Sequence, residues 1–375
     1  MDPKEQQADV AAARGDYGAA RDLLRQLAQV QPASFDVLVK LSAMLRATGD
    51  AAGSLDAIDR ALAVRALDFT ALLMRANQLR ALGRAQESGP AFGRALAQAP
   101  EALPPQLVPV LAMARTEYRA WQGSQAETLR QTVASVTPLT DRLDRFITDT
   151  VRLTEPERDG PTHYCYPGLP EQPFLDRARF PWLEALEATT DAIAADFARL
   201  VDSRASQLVP YIQYPENVPL EQWAELNQNR DWTAIHLINH GQKVAVNAAL
   251  CPATMAALAS LPQPEIPGAG PNAMFSLLAP HTHIPPHTGI TNSRLVCHLP
   301  LVVPVGCWFR VGDDRRDWSR GQAWVFDDTI EHEAMNPTDS LRVILIVDVW
   351  HPDLCEAERK GIAAVIAAGG SIHGL

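Results

Sequence analysis

The sequence predicts a chain of two parts, an α-helical N-terminal third and, after a helical connector, an antiparallel β domain. Residues 1–115 are rich in Ala and Leu, have helical periodicity and contain few β-branched residues. Residues 281–350 instead contain short runs of β-branched and aromatic residues separated by Pro, Gly, Asn and Asp. Such runs are typical of an antiparallel sheet or barrel. The predicted class is therefore multidomain, with helices first and then a β core with flanking helices.

A period of 34 residues runs through the N-terminal part. Gly15, Gly49 and Gly83 each end a short turn before a helical segment. Apolar positions follow in the same register, at Leu24, Ile58 and Phe92 and again at Ala28, Leu62 and Leu96. Helix, glycine turn and helix at this period is the tetratricopeptide pattern, in which stacked repeats bury a continuous core and leave a concave groove. A generic Ala-rich helical bundle is the alternative.

The predicted domains are a tetratricopeptide-like repeat domain at 1–115, a helical connector at 116–160 and the β domain at 161–375. The polar, Pro- and Gly-containing segment 154–162 is the preferred boundary. Further elements are predicted from composition and periodicity: one amphipathic helix over 180–202, strands within 231–242 and 273–280, and a short helix within 251–262.

Composition narrows the classes of function. A net charge of −11 argues against general binding to nucleic acids or anionic membranes, because both attract basic surfaces. Five scattered Cys residues without CxxC spacing argue against a disulfide framework or a thiolate zinc site. The N-terminal residues lack the apolar segment of a signal peptide, and no run of about 18 apolar residues could span a membrane. We therefore expect a cytoplasmic protein.

Histidine is concentrated in the β-rich stretch, which holds five of the ten His residues of the chain. Two of them, His287 and His332, lie where a predicted strand meets a turn, and strand ends can converge although the residues are far apart in sequence. Neutral imidazole is the commonest metal ligand and suits iron and zinc. We expect these two residues to bind a metal, whereas His281 and His283 are interpreted as loop residues.

Three separated motifs in this region resemble one enzyme family. They are PHTGITNSRLVCHL, FDDTIEHE and an Arg that leads into VDVWHP. In this order they resemble the aspartyl/asparaginyl β-hydroxylases, which are Fe(II)- and 2-oxoglutarate-dependent dioxygenases on a double-stranded β-helix (jelly-roll) core. The resemblance covers roughly residues 160–354 and implies that fold for the β domain.

The resemblance assigns a role to each matching residue. His287 and His332 would bind Fe(II). Gly289 stands where the wider superfamily has a carboxylate ligand, and the family likewise uses two His and a water there. One of the acidic residues 327, 328, 331 and 333 could orient that water or a ligand His.

The remaining matches concern 2-oxoglutarate. Arg342 and Ser276 would hold its distal carboxylate, since Arg grips carboxylates in a bidentate way. His298 matches a family His near the other carboxylate, and Trp232 matches an aromatic of the same pocket. The chain departs from the family at Val296, where a second Arg is common. Arg294, on the same strand face by alternation, is a candidate to compensate.

The function implied is a hydroxylase that uses Fe(II), 2-oxoglutarate and O2 to hydroxylate an unactivated C–H bond, with His287, His332 and Arg342 as the catalytic set. The expected substrate is a peptide or protein side chain recruited by the repeats. Three alternatives stay open: a lipid or small-molecule hydroxylase, a repeat scaffold whose β domain is inactive, and a halogenase with chloride beside Gly289.

Overall fold

A computed structural model describes residues 2–101, 104–155, 163–203, 208–214 and 223–369 of the chain. The chain forms two compact units, residues 1–125 and 126–375. This division falls inside the predicted connector, while most of the boundary predicted at 154–162 lies outside the described residues. The predicted domain limits therefore stay predictions.

Six helices of similar length build most of the first unit and pack as consecutive pairs. They are α1 (Pro3–Ala13), α2 (Tyr17–Val30), α3 (Phe35–Ala47), α4 (Ala51–Val64), α5 (Phe69–Ala81) and α6 (Ala85–Ala97). A longer helix, α7 (Val108–Ala134), follows. In-register residues of the three pairs are fully buried: Leu24, Ile58 and Phe92. The tetratricopeptide-like repeats predicted from the period of 34 are confirmed.

Glycine turns separate the two helices of each pair. Gly15, Gly49 and Gly83 have φ of +81°, +84° and +70°, a left-handed conformation that other residues adopt only at a cost. In the first two repeats the next residue is an Asp that caps the second helix. Asp16 accepts from the backbone N–H of residue 19 at 3.0 Å, and Asp50 from that of residue 53 at 2.8 Å.

In its described residues, the second unit contains six further helices around a β core. They are α8 (Asp141–Thr150), α9 (Leu183–Ala188), α10 (Thr190–Asp202), α11 (Ala245–Leu250), α12 (Pro252–Ala259) and α13 (Glu356–Gly369). The prediction of one helix over 180–202 is wrong, because two helices meet at Thr189. The hydroxyls of Thr189 and Thr190 each donate to the carbonyl three residues earlier, at 2.6 Å. Such side-chain bonds compete with the helical ladder and favour a break.

Eleven strands form two antiparallel sheets in the described part of this unit. They are β1 (Val209–Pro210), β2 (Trp232–Asn239), β3 (Gln242–Lys243), β4 (Ala273–Leu278), β5 (Thr282–His287), β6 (Arg294–Val302), β7 (Trp308–Val311), β8 (Asp314–Asp317), β9 (Trp324–Phe326), β10 (His332–Asn336) and β11 (Arg342–Trp350). The larger sheet has the order β1-β2-β4-β11-β6-β9, with β3 beside β2. The smaller sheet has the order β5-β10-β7-β8. From β4 onward this order agrees with the double-stranded β-helix that the family resemblance implies.

The central strands of the larger sheet are buried on both faces. On one face, Phe275 and Leu345 belong to a core that includes Ile193 of α10. Strand alternation turns Ser276 and Ile344 to the opposite face, toward the interior between the sheets. The position of Arg342 on β11 places its guanidinium on that interior face, where it is 1% exposed. No helix of the described ranges is long and apolar enough to cross a bilayer.

Candidate active site

One cavity of about 460 Å³ collects the residues predicted for the site. Its lining includes all seven of them, from β2, β4, β5, β6, β10 and β11: Trp232, Ser276, His287, Arg294, His298, His332 and Arg342. The larger sheet contributes the Arg and Ser side chains, and the smaller sheet contributes the two predicted metal ligands. The topology thus brings together residues separated by up to 110 positions in the sequence.

The two candidate metal ligands face each other across neighbouring strands. His287 ends β5, His332 begins β10, and the two residues are paired in the antiparallel register. Their ring centroids are 4.1 Å apart. In each residue Nδ1 lies within hydrogen-bond distance of the carbonyl oxygen two residues earlier, at 2.8 Å for His287 and 3.0 Å for His332. A carbonyl can only accept, so Nδ1 donates and Nε2 carries the lone pair that a metal needs.

Both rings are neutral at ordinary pH. Burial, together with the neighbouring His332, lowers the pKa of His287 to about 3. Burial likewise lowers the pKa of His332 to about 4. A metal ligand must be the neutral imidazole, so the folded chain holds this pair in the form that binds.

Gly289 is the position where a third metal ligand would be expected, and the space beside it is filled by Asp328, from the connection between β9 and β10. Within the described part of the chain, no group of three or more His, Cys, Asp or Glu side chains is arranged around a common metal position. A Cβ added to Gly289 would lie 2.3 Å from Oδ2 of Asp328. The backbone N–H of Gly289 also donates to the carbonyl of Asp328 at 2.6 Å. Asp328 therefore occupies the space that a side chain at 289 would need.

Asp328 is one of two carboxylates that hold Arg294. Its Oδ2 lies 3.0 Å from Nη2 of Arg294, and Oδ1 of Asp348 lies 3.0 Å from Nη1. The second oxygen of Asp328, Oδ1, is buried without a partner in the described ranges. Burial raises the pKa of Asp328 against the opposing effect of Arg294. Although burial disfavours its charge, the two carboxylates raise the pKa of Arg294 above the ordinary value.

Arg342, in contrast, has no carboxylate beside it among the described residues. Its Nη1 lies 3.4 Å from both the Oγ and the carbonyl oxygen of Ser276, and its Nε is buried without a partner. The guanidinium lies over the ring of Trp318, 4.9 Å from the centroid. Burial lowers the pKa of Arg342 below the ordinary guanidinium value. A buried cation in this state requires an anion.

The other predicted residues lie beside this guanidinium. The indole N–H of Trp232 donates to Oγ of Ser276 at 3.1 Å. His298 is packed against Phe309, with ring centroids 5.0 Å apart, and its Nδ1 has no partner in the described part of the structure. Burial and the charge of Arg342 hold the pKa of His298 well below its usual range.

The remaining acidic and His candidates lie outside the cavity lining. His281 contacts Asp339 at 2.8 Å and His283 contacts Glu333 at 2.7 Å, and both His side chains are exposed. The interpretation of His283 as a loop residue is wrong, because it lies within β5. Glu331 and Glu333 both pair with Arg310. Of the acidic residues near His332, the geometry therefore selects Asp328.

Sequence reasoning missed several residues of the cavity, including Tyr211, Trp223 and Asp348. Tyr211 stacks on Trp232 with ring centroids 3.8 Å apart, and the ring centroids of Trp223 and His287 are 5.1 Å apart. Their segment precedes the motifs and has no pattern of its own, so no signal identified them. Asp348 could have been found, because a lone carboxylate within the apolar run of β11 requires a buried partner.

Comparisons with known proteins agree with these motifs. Residues 189–352 match the family model described as Aspartyl/Asparaginyl beta-hydroxylase. The chain is 31% identical over 220 residues to human "Aspartate beta-hydroxylase domain-containing protein 2", covering 58% of this chain and 57% of that protein. It is 38% identical over 141 residues to "Aspartyl/asparaginyl beta-hydroxylase" of Mus musculus, covering 37% of this chain and 19% of that protein.

A third relative comes from a bacterium. The chain is 35% identical over 190 residues to "Ornithine lipid ester-linked acyl 2-hydroxylase" of Rhizobium tropici, covering 50% of this chain and 63% of that protein. The chain thus covers less than two thirds of the length of each of these three relatives.

Proposed function

We propose that this chain, whose residues 189–352 match the model of the aspartyl/asparaginyl β-hydroxylase family, is an Fe(II)- and 2-oxoglutarate-dependent hydroxylase. The observation that carries the proposal is one cavity with two neutral imidazoles on one sheet and, on the other, a buried guanidinium that has no carboxylate partner among the described residues. The two imidazoles suit a divalent iron, and the guanidinium suits an anionic cosubstrate.

The residues of the site fit the metal. His287 and His332 would hold it through Nε2, because Nδ1 of each ring is engaged by a backbone carbonyl. That bond fixes the ring orientation and the tautomer, as is usual for His ligands. Bound there, Fe(II) would supply the redox chemistry that couples oxidation of 2-oxoglutarate by O2 to hydroxylation of a C–H bond.

The larger sheet would hold the cosubstrate. Arg342 can donate two hydrogen bonds to the distal carboxylate of 2-oxoglutarate, and the hydroxyl of Ser276 lies beside it. The indole of Trp232 fixes that hydroxyl by donating to it. Nδ1 of His298 has no partner within the described part of the chain, so it can donate to a bound carboxylate. Arg294 stays a candidate for cosubstrate binding, but its two carboxylate partners already neutralise it.

Aromatic side chains would exclude water from the metal side of the cavity. Trp223 packs edge-on against His287, and Tyr211 covers Trp232 face to face. A dry site strengthens the electrostatic grip of Arg342 and protects the reacting groups from side reactions.

The substrate is proposed to be a peptide or protein side chain. The tetratricopeptide-like repeats support this choice, since stacked repeats form concave binding surfaces. A lipid or small-molecule substrate is the second candidate, and the similarity to the R. tropici acyl hydroxylase favours it. An inactive scaffold would give no reason for the unpaired charge of Arg342. The cytoplasmic location stays a prediction.

Formation of succinate tests the proposal. Full-length protein, reconstituted with Fe(II) and supplied with 2-oxoglutarate and O2, should release succinate slowly even without substrate. His287→Ala should abolish this release, while His283→Ala, an exposed His outside the cavity, should not. Absence of succinate from the parent protein would favour the scaffold, and incorporation of chloride into product would favour the halogenase.

A further inference from the structure

A second cavity lies beside the first, at the end of the larger sheet. Its volume is about 920 Å³. The turn between β2 and β3, helix α12 and the segment 261–271 that follows it line this cavity, together with Trp350 at the end of β11 and Arg359 on α13. His240 lines both cavities, so the two adjoin at the β2–β3 turn. None of the seven residues predicted for the first cavity lines the second.

Much of the wall of the second cavity is apolar. Leu258 and Leu261 are buried members of the core of this unit, and Met255 packs against that core. Ile266 and Trp350, which are 5% and 7% exposed, add to the apolar lining. A cavity of this volume, with apolar walls and a few polar groups, has the usual form of a small-molecule site.

Two hydrogen-bond donors of this lining have no partner among the described residues. They are Nε of Arg359 and Nε2 of Gln263, and both atoms are buried. The backbone N–H of Trp350 donates to the carbonyl of Pro262 at 2.9 Å, which ties the segment of Gln263 to the end of β11. A short connection then leads from β11 into α13, which carries Arg359. Because a buried donor without an acceptor costs free energy, a ligand that supplies an acceptor would stabilise this lining.

The charge of the lining favours an anion. Arg359 and Lys243 are its two cations, and neither forms an ion pair within the described part of the chain. Glu265 is the one carboxylate among the described lining residues, and it is exposed. These three groups leave a formal charge of +1, although the whole chain carries −11. A monoanion would therefore neutralise the lining, and a guanidinium is suited to hold a carboxylate.

We propose that the second cavity binds an amphipathic monocarboxylate. The guanidinium of Arg359 holds the carboxylate, and the exposed ammonium of Lys243 adds to the attraction. The apolar body of the ligand packs on Leu258 and Trp350. The site is separate from the proposed hydroxylase chemistry, so its test requires neither iron nor turnover.

Three probes test the chemistry of this ligand on the full-length metal-free protein. Octanoate offers both a carboxylate and an apolar chain, octanol offers the chain alone, and inorganic phosphate offers charge alone. Calorimetry measures the three affinities. We expect octanoate to bind at least about tenfold more tightly than either of the other probes, which corresponds to about 1.4 kcal/mol. Octanol or phosphate binding as tightly as octanoate, or no octanoate binding at millimolar concentration, would overturn the proposal.

Substitution of Arg359 tests which residue holds the carboxylate. Arg359→Met removes the charge and keeps an apolar side chain, so the affinity for octanoate should fall about tenfold while the affinity for octanol stays unchanged. Lys360→Met is the matched control, because Lys360 is the next residue on α13, pairs with Glu356 and does not line the cavity. It should change neither affinity. Unchanged octanoate affinity in folded Arg359→Met would overturn the proposal.

Two further variants locate the bound octanoate. Ala259 is an exposed residue of α12 that lines the second cavity. Ala259→Glu places a like charge there and should weaken octanoate binding severalfold, whereas the neutral Ala259→Gln should not. Arg342→Met removes the unpaired guanidinium of the first cavity. Octanoate binding that is lost in Arg342→Met and kept in Arg359→Met would place the ligand in the first cavity and overturn the proposal.

Discussion

His287 and His332 are direct neighbours across β5 and β10, although 45 residues separate them in the sequence. Each uses Nδ1 to donate to the carbonyl of the residue two positions earlier, so the same local arrangement occurs twice. The ring centroids are 4.1 Å apart. Because the backbone fixes both rings, binding of a metal between them would need little reorganisation.

Substitution of either ring should abolish iron binding. The parent protein, reconstituted anaerobically, is expected to hold about one Fe(II) per chain, as a two-imidazole site implies. His287→Ala and His332→Ala should each retain little or none of it. His283→Ala is the matched control, because that His is exposed and contacts Glu333 outside the cavity. Full occupancy in both cavity variants would show that the ligands lie elsewhere.

Metal affinity should depend little on pH in the acidic range. Protons compete with a metal only when the imidazole is protonated, and the pKa values of His287 and His332 are lowered to about 3 and about 4. Titration with Zn(II) should therefore give nearly equal affinities at pH 7.5 and pH 5.5. Ligands with the usual pKa of about 6.5 would lose roughly tenfold per His over that range.

The same pKa shifts predict acid sensitivity of the metal-free fold. Unfolded His binds a proton below pH of about 6.5, whereas the folded pair does not until about pH 4 and below. The unfolded state therefore binds more protons in this window, and the free energy of unfolding should fall as the pH is lowered from 6.5 to 4. Urea unfolding of the metal-free protein at several pH values measures this decrease in the free energy of unfolding. His287→Ala should show a shallower decline.

Arg342→Met should weaken cosubstrate binding and make the free protein more stable. The variant removes the partner of a carboxylate, which should weaken 2-oxoglutarate binding by roughly 2–4 kcal/mol. It also replaces a buried, unpaired guanidinium by an apolar side chain of similar length, and such replacements are often stabilising. Calorimetry on the Fe(II)-loaded protein measures the affinity for 2-oxoglutarate, and thermal unfolding of the metal-free protein measures the change in stability. Unchanged affinity would place the carboxylate elsewhere.

Much of the fold could be predicted because its signals are local. Period and glycine spacing identified the repeats, and short β-rich runs between turn residues identified the sheets. The break at Thr189 could not be predicted, because apolar spacing continues through it and two hydroxyl-to-carbonyl bonds decide the outcome. Sheet order also depends on long-range pairing, which the resemblance supplied and composition did not.

The candidate site likewise has residues that the sequence predicted and contacts that it could not predict. His287, His332, Arg342 and Ser276 were placed from motifs, and the cavity contains all four. The lone carboxylate of Asp348 could have been noticed, but its pairing with Arg294 could not be predicted, because the two residues are 54 positions apart and meet only through the register of β6 and β11. The role expected of Arg294 as a replacement cation therefore missed its neutralisation by two carboxylates.

Gly289→Asp should fail to restore a three-ligand metal site. The new Cβ would lie 2.3 Å from Oδ2 of Asp328, and a second carboxylate would be buried beside the first. We expect a loss of about 2–4 kcal/mol in the free energy of unfolding and weaker Fe(II) binding. The double variant Gly289→Asp with Asp328→Ala removes the clash and should recover iron occupancy. Gly289→Ala separates the steric effect from the charge. Normal stability in Gly289→Asp would contradict the packing argument.

Val296→Arg should tighten 2-oxoglutarate binding, because the described lining of the cavity has no cation near Val296 that lacks a carboxylate partner. Val296 lies on β6 between Arg294 and His298, faces the cavity and is 6% exposed. Arg294 pairs with Asp328 and Asp348, and these two carboxylates offset its charge. We expect about a tenfold gain in affinity, measured by calorimetry on Fe(II)-loaded protein under anaerobic conditions.

Val296 is also the register partner of Asp348 on β11, so the carboxylate of Asp348 could form an ion pair with the new Arg. For this reason the substitution should be repeated in the Asp348→Asn background, where capture is weaker and the gain should be larger. Val296→Met, which adds length without charge, is the control for filling the cavity. Equal affinities of the Arg and Met variants in both backgrounds would mean that the cosubstrate lies away from this position.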